Sequence, residues 1–114
     1  MNDISEKRKL QMLVGEWVGM ADRDEEWERF RNIDPENKQA VKAELRRDIV
    51  PHFKELSAEN QELALQGLDY ALTLSDEEAA QRWNGILPPF SPPKKAREIY
   101  VWLHEVFHEE GLLD

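Results

Sequence analysis

The sequence predicts an all-α fold: a single helical domain over residues 1–114, built as a bundle of five to six helices with a proline-rich connector before the last. Three observations lead there. Apolar residues recur three and four positions apart along most of the chain, the spacing of helices that bury one face. No stretch alternates apolar and polar residues between turn signals as a strand does, and no internal repeat occurs. A chain of 114 residues, 40% hydrophobic and 34% charged, has material for one core and not for two.

The first helix is expected after Asp3, with Glu6 in the capping-box position, turning Leu10, Leu13, Val14, Trp17 and Val18 toward the core. Gly15 and Gly19 lie one turn apart, where they either admit a second backbone or fray the helix end, and fraying is the simpler reading. In the charged segment 22–34 a short helix would put Trp27 and Phe30 on one face. Asp34 before Pro35 has the form of an N-cap with proline at the first helical position. From there the stripe Val41, Leu45, Ile49, Phe53 and Leu56 predicts a third helix, kinked or divided at Pro51, because proline lacks the N–H and its ring strikes the preceding turn.

Ser57 caps the next helix, which runs to about residue 74 on Ala64, Leu65, Leu68, Ala71 and Leu72. Ser75 and Glu78 form a second capping box, opening a short helix that carries Ala79, Ala80 and Trp83 and stops at Gly85. The two Pro-Pro pairs of ILPPFSPPKK impose an extended connector. Pro89, Pro92 and Lys94 also fit a PxxPxK ligand pattern, for which a rigid connector is the plainer explanation. The last helix is expected over about residues 93–110, with Ala96, Ile99, Tyr100, Leu103, Val106 and Phe107 facing inward and Trp102 at the edge of that stripe.

Composition excludes several classes of function. No apolar run reaches the roughly 20 residues of a membrane span, and MNDISEKRKL lacks the layout of a secretory signal, so a cytoplasmic protein is expected. With no cysteine there is no disulfide, thiolate nucleophile or cysteine-bound metal. Fifteen Lys and Arg against 24 Asp and Glu give a net charge of −9, which repels phosphate backbones and disfavours nucleic acid as a partner. His52 has no nucleophile or carboxylate at catalytic spacing, Ser5, Ser57, Ser75 and Ser91 read as caps or turn residues, and no phosphate-binding glycine loop exists.

One motif carries chemistry. His104, Glu105 and His108 form HExxH, in which two imidazoles on one helix face hold zinc and the glutamate serves as general base. With Gly111 and Asp114 the stretch reads HExxHxxGxxD and resembles the extended motif of the metzincin metallopeptidases. The resemblance implies His104, His108 and Asp114 as zinc ligands, and Glu105 as the base that takes a proton from zinc-bound water for attack on a carbonyl. It covers 11 of 114 residues, no methionine follows Met20 to form the family's methionine turn, and no upstream segment reads as a substrate-binding strand. On a helical wheel the motif falls on the flank and far side of the apolar stripe, where it would look into water. A helix end accounts for the same residues: Gly111 terminates it, Leu112 packs back on it, and the histidines favour its dipole.

The expected function is therefore a small acidic protein-binding module, of the inhibitor, immunity or antitoxin type, that masks a basic protein partner and needs no cofactor. The likeness to such proteins is one of size and composition and not of motif. Asp24, Glu25 and Glu26 would steer the partner, while Trp27, Phe30 or Trp102 would supply a buried aromatic contact unless they pack in the core. A zinc metallopeptidase built on the terminal motif is the alternative.

Overall fold

A computed structural model describes residues 5–17, 30, 32–86 and 90–113, and among them every regular element is helical. Helix α1 (Glu6–Leu13) is capped by Ser5, whose hydroxyl accepts the Arg8 N–H at 3.2 Å. The cap thus lies two residues after Asp3, which is itself outside the described residues. The helix frays where expected: Val14 is its C-cap, and Gly15–Trp17 make a single 3-10 turn. Gly15 still serves a close approach, but to a side chain. The His52 imidazole covers it, with Nε2 2.7 Å from where a Cβ would stand and 3.0 Å from the Met12 carbonyl oxygen. That oxygen is one of the last-turn acceptors a helix leaves open, so Nε2 donates to it and caps α1. Gly19 lies outside the described residues.

Helix α2 (Lys38–Glu44) begins three residues later than the Asp34–Pro35 pair suggests. Asp34 is spent on the preceding turn, its carboxylate accepting the Glu36 N–H at 2.9 Å and its carbonyl the Asn37 N–H at 2.9 Å. Asn37 is the cap, accepting the Ala40 N–H at 3.1 Å. Without a break α2 passes into a π-helical turn (Leu45–Ile49) and then α3 (Val50–Glu55). The wide turn takes up Pro51: Val50 donates five residues back to Leu45, and the proline falls where a helix start has no use for its N–H.

Ser57 caps α4 (Ala58–Ala71), and the Ser75–Glu78 box opens α5 (Asp76–Gly85), both as expected. The last helix, α6 (Glu98–Glu109), starts about five residues later than the sequence suggests. Before it, Pro92 and Pro93 stay outside any helix, and acids from elsewhere receive the backbone: Glu36 accepts the Lys94 N–H at 2.6 Å and Asp76 the Arg97 N–H at 3.1 Å. Pro93 is buried and Pro92 half-buried, so this part of the connector packs against the bundle, while Lys94 is exposed and Pro89 is outside the described residues.

The inward stripe of every described helix is buried in one continuous core. Helices α1 and α4 touch backbone to backbone at Gly67, where a Cβ would stand 2.7 Å from the Lys9 carbonyl carbon. Phe53 of α3 meets Phe107 of α6 at 4.8 Å between centroids. Trp17, Phe30, Trp83 and Phe90 form an edge-and-face cluster at 5.4–6.0 Å, closed by two indole hydrogen bonds. Trp83 Nε1 donates to the Phe90 carbonyl at 2.9 Å and Trp17 Nε1 to the Asp48 carboxylate at 2.8 Å, so neither buried N–H is stranded. The radius of gyration, 13.2 Å, is close to the roughly 13 Å expected for a chain this long folded about one core. No helix of the described residues is long and apolar enough to cross a membrane.

Candidate functional site

The terminal motif sits on α6, with its glutamate side turned toward α2. Lys38, Lys42 and Arg46 repeat every fourth residue along α2 and the π turn, and Glu105 and Glu109 do so along α6, which puts each set on one face. They interleave. Lys38 Nζ lies 3.0 Å from Glu105 Oε2, Lys42 Nζ lies 3.3 Å from the same oxygen and 2.6 Å from Glu109 Oε1, and Arg46 pairs with Glu109 Oε2. The result is a ladder of alternating sign, and an open groove of about 520 Å³ runs beside it between His104, His108 and the lysines. The expectation that this face looks into water holds for His108, which is exposed, whereas Glu105 is met by the cations of α2.

Lys42 is the one buried charged residue among the described residues. Its ammonium is held above the ordinary lysine value chiefly by the hydrogen bond to Glu109, against the opposing effect of burial, and then by Glu105. Glu105 is held below the usual carboxylate value, first by the hydrogen bond from Lys38 and, after the opposing effect of burial, by that from Lys42. Glu109 is lowered in the same way by Lys42 and then Arg46.

This geometry bears directly on zinc chemistry. A general base must have a free lone pair and a proton affinity near the working pH, whereas Glu105 carries two lysine contacts and a depressed pKa. A dication beside His104 and His108 would also meet the ammonium groups of Lys38 and Lys42 in the same groove. Among the described residues no group of three or more His, Asp or Glu is placed to hold a metal, and Asp114, the third ligand of the motif, lies outside them. Gly111 has a role that needs no metal. At φ 72° it is the left-handed residue of a Schellman end, with the Leu112 N–H donating to the Phe107 carbonyl at 2.9 Å and the Gly111 N–H to that of His108 at 3.1 Å. Leu112 packs back against the core.

The residues expected to touch a partner fall into two groups. Asp24, Glu25, Glu26 and Trp27 lie outside the described residues. Phe30 and Trp102 are 1% and 6% exposed, and their place in the core corrects the expectation that they form a contact surface. Phe30 packs edge-on against Trp17, and Trp102 is drawn in because the buried face of α6 is wider than its central stripe.

Carboxylates that no cation answers lie elsewhere. On α4, Glu59, Glu62 and Asp69 share one exposed face with Gln66, and none of the three acids makes an ion pair among the described residues. Asp76 and Glu77 are further exposed acids at the start of α5, where the helix dipole favours them. Sequence reasoning passed over the ladder because Lys38 and Glu105 are 67 residues apart and only the fold joins them. The matching four-residue repeats of cations and acids were the available signal. Comparisons of the chain with protein-family models, with curated proteins and with solved structures give no match.

Proposed function

We propose that the protein is a small acidic binding module that masks a basic partner protein, as inhibitors and immunity-type proteins do. The observation that carries this reading is the segregation of charge. Lys38, Lys42 and Arg46 are consumed inside the ladder and Arg47 by Glu44, while the acids of α4 are left exposed without counter-ions among the described residues. A surface of that kind raises the local concentration of a cationic protein and speeds its docking, and it opposes nucleic acid. Asp24, Glu25, Glu26 and Trp27 are proposed as a second contact set, the indole providing the apolar anchor that charge alone does not supply.

The test is affinity capture from the native host with the wild type and with a Glu59→Gln, Glu62→Gln, Asp69→Asn variant, each retained protein being identified. A basic protein retained by the wild type should associate about tenfold more slowly with the variant, and raising the salt should abolish that difference. Retained proteins that are acidic or neutral, or that bind the variant at the wild-type rate in low salt, would overturn the reading.

A further inference from the structure

A second, smaller pocket lies between α1 and α5, and none of its lining residues belongs to the ladder or to the acidic set of α4. Its volume is about 70 Å³, and it is lined by Lys7, Leu10, Gln81, Arg82, Gly85 and Ile86. Leu10 and Ile86 are buried and form an apolar floor, while Lys7, Gln81 and Arg82 are exposed and form a rim that donates hydrogen bonds. No acid lines it.

Lys9, Lys38, Lys42, Arg46 and Arg47 each hold a carboxylate, whereas Lys7 and Arg82 make no ion pair among the described residues. Arg8, Lys54, Lys94 and Lys95 also lack ion pairs among the described residues, but Lys7 and Arg82 are the two such cations that share a pocket with an apolar floor. Arg82 has a glutamate at the favourable four-residue spacing, Glu78, but that side chain is turned back to accept the Ser75 N–H at 3.1 Å in the capping box. The contact Arg82 does make is a long one, 3.5 Å from Nη2 to the Tyr70 hydroxyl. Gly85 stands at the lip with open space where a Cβ would be, so nothing on α5 closes the entrance there.

We infer that this pocket binds a carboxylate carrying a short apolar group, with Lys7 and Arg82 on the carboxylate and Leu10 and Ile86 under the hydrocarbon. A fork of guanidinium donors beside an ammonium suits a planar anion, and a cavity of this size takes only a few heavy atoms. The same chemistry belongs to a free short-chain acid and to the C-terminus of a peptide ending in an aliphatic residue. The inference does not depend on the basic-partner reading, which uses other faces of the molecule.

The experiment is a titration of the whole protein, followed through backbone amide resonances. The probes are isobutyrate and an acetylated Gly-Gly-Leu peptide with either a free or an amidated C-terminus. Saturable one-to-one shifts at Leu10, Gln81, Gly85 and Ile86 are expected with the two carboxylates and not with the amide. Lys7→Gln with Arg82→Gln should weaken binding by about tenfold or more, as expected for losing charge-assisted hydrogen bonds, and Lys95→Gln should leave it unchanged. Gly85→Leu, which fills the lip and keeps both charges, should also weaken it. Tighter binding of the peptide assigns the site to chain termini, and tighter isobutyrate assigns it to free acids. Shifts that do not saturate, that the amide reproduces, or that persist in both pocket variants would overturn the inference.

Discussion

Lys42 concentrates the electrostatics of the molecule in one side chain. Its stem is buried while its ammonium bridges two carboxylates that are each more than a third exposed, so water remains available to those acids if the lysine is lost. Lys42→Met, which keeps the stem's packing, is therefore expected to cost about 1 kcal/mol, and Lys42→Ala about 2 kcal/mol, read as shifts in the urea midpoint. The acids give a prediction with a definite sign. Glu105 has a folded-state pKa below its ordinary value of 4.5, so the stability it contributes is fully present above that value and is lost as pH falls through the lowered one. Glu105→Gln should accordingly be less stable than the wild type at neutral pH, and the two should converge at acid pH. A constant gap across the acid limb would mean that the ladder does not hold Glu105 as described. For Lys42 the sign is reversed: its contribution is present below the ordinary 10.5 and disappears as pH rises through the raised value.

Two elements show how far local sequence carries. Caps and stripes were legible, because Ser57, Ser75 with Glu78, and the inward rows of α4 and α6 act within four residues of themselves. Helix starts were less so. Asp34 and Pro35 look like a cap but make a turn, since the Asp34 carboxylate is taken by the Glu36 N–H and Asn37 accepts the Ala40 N–H in its place. The π turn has a signature that is plain in retrospect. Val41, Leu45, Ile49 and Phe53 recur strictly every fourth residue, and in a straight α-helix such a row drifts about 40° per step. A wider turn takes back part of that drift and keeps all four side chains in the core, as their burial records. Gly67 makes the prediction at this scale. Alanine favours helix by about 1 kcal/mol over glycine, but its Cβ would meet the backbone of Lys9 and Leu10 at 2.7–2.9 Å, and backbone does not yield as a flexible side chain would. Gly67→Ala should lower stability by about 2–3 kcal/mol and detach α1 first, which hydrogen exchange at Leu10 and Leu13 would report.

For the molecule as a whole, the net charge of −9 and the ladder respond oppositely to salt. The unanswered acids repel one another across water and are readily screened, whereas the ladder lies partly buried beside Lys42 and is screened less. Raising sodium chloride from low to physiological ionic strength should therefore increase Tm by a few degrees, and a fall would show the ladder to be the larger effect. The fold class could be reached from periodicity and composition because both are properties of whole helices. The candidate site could not, because the ladder joins residues 38–46 to residues 105–109, and the pocket between α1 and α5 exists only once Leu10 and Ile86 share a floor. The π turn also bears on how this chain tolerates insertion and deletion. Removing a single residue from Leu45–Ile49 would leave an ordinary helix with good local geometry, and because the five residues of the wide turn sweep about the same angle as four of an α-helix, everything beyond it would keep its face. Phe53 would still face Phe107, and His52 the Met12 carbonyl. The wide turn is thus a place where this helix could lose a residue and keep its core.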